Sequence, residues 1–280
     1  MLPTFLAQLA GGSAFAVAVV QLRQVSWKYL RLMAIVCMAM AVLAIGLLYR
    51  ETAVAEVASE PDPHRMVIGL LVAGVVAAFA WIVANALQGE SVRASQRLWA
   101  FACAIVWLTA AVLMATMPDT LVVATEARAA APIVLGSPRG LAATASVLLG
   151  AGLLGTATAA MILGHRYLTD TGMSIAPLRR LAGLYLIIVA LRCVWVIGAS
   201  YPAWQGGFVA QSSYTWFWLL MSIRFGVGVL GTAIFAWMVW DCVRRRATQS
   251  ATAIFYLSMI FVFLGEMSGQ YLLRTESLAM

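Results

Sequence analysis

The sequence predicts an all-α protein: a polytopic membrane bundle of eight transmembrane helices with both termini outside. Three observations carry this prediction. The 280 residues are 63% hydrophobic and only 10% charged, whereas a soluble domain is nearer a quarter charged. The apolar runs are continuous and about 20 residues long, enough for a helix to cross a bilayer core. A membrane β-barrel would instead show alternating strands of about ten residues. Finally, the basic residues gather in alternate loops, as the orientation rule for membrane helices requires.

Taken in order, span one covers residues 3–21. The first basic residue, Arg23, follows it, so a retained helix is expected and not a cleaved signal. A basic turn with Arg23, Lys28 and Arg31 leads to span two, residues 32–49. The stretch RETAVAEVASEPDPHR, with its Pro-Asp-Pro turn, is a polar loop. Span three is 66–87, ending at GESVRASQR, and span four is 98–117. The longest connection, 118–140, contains Pro132, Gly136 and Pro138, and a short interfacial helix is expected around Val122–Ala131. Span five, 141–164, is rich in Gly, Ala and Thr, which favours close helix packing. After HRYLTDTGMSIAPLRR comes span six, 181–199, and after SYPAWQGGFVAQSS come spans seven and eight, 214–240 and 251–273. The whole chain reads as one integral membrane domain, with no visible sequence repeat.

Loops 1–2, 3–4, 5–6 and 7–8 hold most of the arginines, including Arg179, Arg180 and Arg244 to Arg246. That side is expected to be cytoplasmic. The net charge of +7 is thereby orientation information, and nucleic acid is not an expected partner. Cys37, Cys103, Cys193 and Cys242 are scattered singly through apolar segments without CxxC or CxxCH, so neither an iron–sulfur site nor covalent haem is expected. His64 and His165 fall at opposite ends of the bundle, which argues against a bis-histidine haem. No metal site is expected.

Three ionisable residues lie inside spans: Arg192, Arg224 and Glu266. A charge at such depth costs at least a few kcal/mol, so it needs a partner and often has a task. At about 1.5 Å per residue, all three fall in the outer half of the membrane. Gly228 and Gly231 follow Arg224, and Gly265 and Gly269 flank Glu266, so two glycine-lined faces of opposite charge are expected to meet. The plain reading is an ion pair that fixes helix register. The sharper one is a polar pocket of Arg192, Arg224 and Glu266 with Gln8 and Gln270, suited to a quinone ring whose tail enters from lipid. Glu266 would then be the catalytic proton acceptor.

These residues carry a resemblance. LMSIR, followed about forty residues later by FLGEMSGQYLL, resembles the end of the dimethyl-sulfoxide-reductase membrane anchor family (DmsC-like). There the last two helices hold M-S-x-R and G-E-x-x-G-R, matched here by Met221, Ser222 and Arg224 and by Gly265, Glu266 and Gly269. The opening FLAQLAGGSAFAV is similar to that family's first helix at Gln8, Ala10, Gly11 and Gly12. Related polysulfide- and nitrite-reductase anchors (NrfD–PsrC type) share the design. The resemblance implies an anchor subunit of a respiratory oxidoreductase in the bacterial inner membrane. It would bind menaquinone or ubiquinone and pass electrons to a peripheral iron–sulfur subunit and thence to a molybdopterin subunit. Two departures stand out. Gln270 occupies a position where the family has arginine, and the family's H-L-G-S-P after span two is replaced by YRETAVAE. Two other readings stay open: a structural anchor that has lost its quinone site, and a small-solute or proton transporter.

Overall fold

The structure, a computed structural model, describes residues 1–20, 25–55, 63–87, 93–116, 136–169, 173–205 and 215–276. Eight helices are long and apolar enough to cross a membrane, and no strand occurs among the described residues. They are α1 (Leu2–Val19), α2 (Trp27–Ala55), α3 (Pro63–Leu87), α4 (Arg93–Thr116), α5 (Pro138–Thr169) and α6 (Ala176–Gln205). Helix α7 runs from Thr215 to Arg244 in three segments, and α8 is Thr248–Glu276. The interfacial helix expected around Val122–Ala131 lies outside the described residues.

Several helices outrun their apolar spans. Helix α2 continues through Arg50 to Ala55, and α6 begins ahead of Arg179 and Arg180. Hydropathy marks only the part of a helix that meets hydrocarbon. Arg, Glu and Ala are good helix formers, so the backbone ladder carries on into the polar zone. True ends have local causes. Pro138 begins α5, and the Ser137 hydroxyl accepts the Gly140 N–H at 3.1 Å, a serine cap that satisfies an otherwise orphaned donor. Helix α7 ends at Arg244 and is closed by Arg246, whose φ of 60° lets the Ala247 N–H reach back to the Cys242 carbonyl at 2.9 Å. That is a Schellman-type turn, here made without glycine.

The helices form two rings of four. Helices α1 to α4 pack in cyclic order, with α4 returning to α1, and α5 to α8 repeat the same order, with α8 returning to α5. The rings join where α5 lies against α1 and α4. This arrangement makes α1 and α5 the inner helices: 78% and 72% of their spanning windows are buried, against 28–44% for the other six. Glycine permits the joint. A Cβ on Gly12 would strike the Ala151 carbonyl, and one on Gly155 the Gly12 backbone. The outward faces carry Val42, Leu43, Val76, Phe79 and Val194, an apolar surface that bilayer contact explains and water does not.

The two ring cores differ in kind. The first is filled by Leu71, Trp81, Cys103 and Trp107, and among the described residues of α1 to α4 no Arg, Lys, Asp or Glu is buried. The second encloses Arg192, Arg224 and Glu266. It also contains an irregularity: residues Ile223–Gly231 of α7 form a π-helix between the α-helical segments Thr215–Ser222 and Thr232–Arg244. Gly226, Gly228 and Gly231 weaken the ordinary α-helix in this stretch. At its end the Thr232 hydroxyl donates to the Val227 carbonyl five residues back, at 3.3 Å. π-turns are uncommon and recur at functional sites; this one carries Arg224.

Candidate functional site

The side chains of the site come from five helices. Arg192 projects from α6, Arg224 from the π segment of α7, Glu266 from α8, Ser146 from α5 and Gln8 from α1. Ser146, Arg224 and Glu266 stand eight to ten residues from the helix ends on the side of the two termini, roughly 12–15 Å in. The three charged residues are 1–3% exposed. All five site residues read from the sequence, Gln8, Arg192, Arg224, Glu266 and Gln270, are buried in this one region.

Glu266 is the hub. Arg192 grips it with two parallel bonds, Nε to Oε1 at 3.1 Å and Nη2 to Oε2 at 2.8 Å. This is the fork geometry that makes arginine–carboxylate pairs strong. Arg224 adds Nη1 to Oε1 at 3.1 Å. The Arg224–Glu266 pair expected from the sequence is present, and Arg192, expected at the edge of the pocket, adds the two-pronged contact. Backbone carbonyls supply the remaining negative ends. Arg192 Nη1 donates to the Ser146 carbonyl at 3.1 Å and to its hydroxyl at 3.0 Å, and Arg224 Nη1 donates to the Gly265 carbonyl. Among the described residues two guanidinium groups thus share one carboxylate, in a medium where a buried charge depends on its partners.

The glycines make this approach possible. A Cβ on Gly228 would lie 2.7 Å from the Gly265 Cα, so α7 and α8 cross with backbones in contact. A Cβ on Gly269 would fall 2.7–3.0 Å from the Arg224 guanidinium, and one on Gly150 would overlap Glu266 Oε2. The sequence singled out Gly228, Gly265 and Gly269 but not Gly150 or Ser146 of α5. The only signal there was the run of small residues in ASVLLGAGLLG.

A polar ladder adjoins the cluster. On α8, Glu266, Gln270 and Arg274 recur every four residues and so share a face. On α1, Gln8 and Thr4 answer them: Gln270 Nε2 donates to Gln8 Oε1, and Arg274 Nη2 donates to the Thr4 hydroxyl at 2.7 Å. Gln8 Nε2 in turn donates to the Val147 carbonyl of α5 at 3.0 Å. Gln270 is 7% exposed, and its Oε1 receives no donor among the described residues. A buried acceptor left in that state costs about 1–3 kcal/mol. Ser146→Ala would delete one bond to Arg192 while keeping the carbonyl. It is expected to cost about 1 kcal/mol, measurable as a small drop in melting temperature in detergent.

Apart from these polar groups, an apolar crevice of about 560 Å³ lies between α5 and α8, lined by Met161, Tyr256, Met259, Ile260 and Phe263. Tyr256 and Ile260 are exposed on the outward face, and the Phe263 ring stands edge-on to Phe5 of α1 at 5.1 Å. Phe263 and Gln270 are seven residues apart and lie on one stripe of α8. No group of three or more metal-ligating side chains occurs among the described residues. Comparison of the chain with protein-family models, with curated proteins and with solved structures finds no match.

Proposed function

We propose that this chain is the membrane anchor subunit of a respiratory oxidoreductase. It binds menaquinone or ubiquinone in the extracytoplasmic half of a bacterial inner membrane and exchanges electrons with a peripheral iron–sulfur subunit. The observation that carries the reading is the buried meeting of Arg192, Arg224, Glu266, Gln8 and Gln270 beside an apolar crevice. Quinones have this division themselves: a ring with two oxygens at one end and an isoprenoid tail at the other. The crevice, within the ~300–1,000 Å³ range of small-molecule sites, suits the tail. The amides and guanidinium groups two turns along α8 suit the ring. The resemblance of Met221–Arg224 and Gly265–Gly269 to the DmsC-like anchors points the same way.

Glu266 is the residue placed to accept a quinol proton. Its Oε1 accepts from both arginines and its Oε2 from Arg192 alone, so Oε2 is the oxygen that keeps a lone pair for a proton. The chain contributes binding and proton handling. The electrons leave through the iron–sulfur subunit towards a molybdopterin-type catalytic subunit.

Purification in native lipid, followed by quinone extraction and metal analysis, tests this reading. The expected result is about one quinone per chain above the bulk-lipid level, with iron and molybdenum in the co-purifying subunits. A chain that purifies alone, without quinone or metal, would reject it. That outcome would favour a small-solute or proton transporter, for which the ladder from Arg274 and Thr4 to Glu266 supplies a polar path.

A further inference from the structure

Resting on the quinone reading, we infer that Gln270 sets the redox preference of the site. Its Oε1 accepts a hydrogen bond that the reduced, hydroxyl-bearing ring can donate and the oxidised ring cannot.

The direction of this amide is fixed from the backbone outward. The Val147 carbonyl can only accept, so the end of Gln8 that faces it must be the NH₂ group, as observed at 3.0 Å. That turns Gln8 Oε1, an acceptor, towards α8. Gln270 must therefore present its own NH₂ group to Gln8, which it does. Turning either amide over would place two acceptors or two donors face to face, so the assignment follows from the network and not from the choice of one rotamer. At the end of this chain stands Gln270 Oε1, buried and without a donor among the described residues. Donors stand beside it: Gln8 Nε2 and Gln270 Nε2 each spend one N–H, on Val147 and on Gln8, and keep a second that a ring oxygen of either redox form can accept. What tells the two forms apart at this corner is the acceptor.

A quinol hydroxyl matches that acceptor. A quinone carbonyl set against it would leave two oxygens facing each other. A buried polar group built for a hydroxyl rejects an analogue without one far more strongly than an apolar pocket rejects an extra hydroxyl. Gln270 lies on the α8 stripe that continues from Phe263, so a head group at Gln270 leaves its tail directed along the crevice.

The test uses the full chain in lipid nanodiscs, with decylubiquinol and decylubiquinone as probes under anaerobic conditions. The quinol is expected to bind about tenfold more tightly than the quinone. The midpoint potential of the bound couple would then lie about 30 mV above its value in the same lipid without protein. Gln270→Leu, of similar size but with neither amide atom, should weaken quinol binding by about that factor and leave quinone binding within about twofold. Gln8→Leu removes the acceptor that orients Gln270, so the preference should fall there too. Equal affinity for both forms in the unaltered protein, or a preference that survives in both variants, overturns the inference while the quinone reading stands. Binding of neither form would defeat the quinone reading, and this inference with it.

Discussion

Glu266→Gln is expected to remove most of the folded protein, at a cost of about 3–5 kcal/mol. The substitution preserves shape but takes away the one negative charge among the described residues that faces Arg192 and Arg224, 2.8 and 3.1 Å away. Two guanidinium groups would then be buried side by side after losing the carboxylate they share, with the Ser146 and Gly265 carbonyls still accepting from them. Replacing all three by methionine should be better tolerated than removing the carboxylate alone, because an apolar core substitutes well for a complete buried ion cluster. Thermal melting followed by size-exclusion in detergent separates these cases. If Glu266→Gln melts like the unaltered protein, the cluster does not hold the second ring together. Should that variant fold yet lose quinol turnover, the carboxylate acts as proton acceptor and not as a structural hub.

Gly12→Leu is expected to produce the second large effect, by forcing the two rings apart. Any Cβ at this position meets the Ala151 carbonyl, and a backbone atom in the middle of α5 cannot swing aside as a side chain can. Overpacking of this kind costs about 1–3 kcal/mol or more, and the longer side chain places the effect at the upper end. Gly46→Ala provides the comparison. A Cβ there meets nothing within 4 Å, so the better helix former should be neutral or stabilising by up to about 1 kcal/mol. Equal melting temperatures for the two variants would contradict the α1–α5 joint.

The parts of this architecture that can be read in the sequence are those with one-dimensional signals. Eight apolar runs of about 20 residues mark the helices, because lipid leaves backbone groups no other partner. Arg192, Arg224 and Glu266 stood out because charge inside such runs is rare. Apart from the approach of α7 to α8, signalled by their glycines and opposite charges, which helix meets which left no trace. A helix that is apolar on every side has no stripe to show its inward face, so the two rings, and their common order, emerge only in three dimensions. The same holds for Ser146. Its carbonyl binds Arg192, and every residue has a carbonyl. The two-pronged grip of Arg192 on Glu266 depends on relative helix rotation, which spacing along the chain does not encode. The π segment is half legible: IRFGVGVLG is visibly poor in helix formers, but weak propensity does not say which irregular turn will replace the α-helix.

The buried hub also imposes a schedule on biosynthesis. Arg192 and Glu266 are 74 positions apart, and ribosomes add roughly 5–20 residues per second. In a membrane, the sixth helix would therefore wait roughly 4–15 s for its counter-ion to be translated. Until then its guanidinium must shelter at the insertion machinery, at the interface or with a chaperone, so the final three crossings should leave the translocon together. A ribosome stalled shortly before the eighth crossing would strand two cationic helices that lipid alone cannot accommodate.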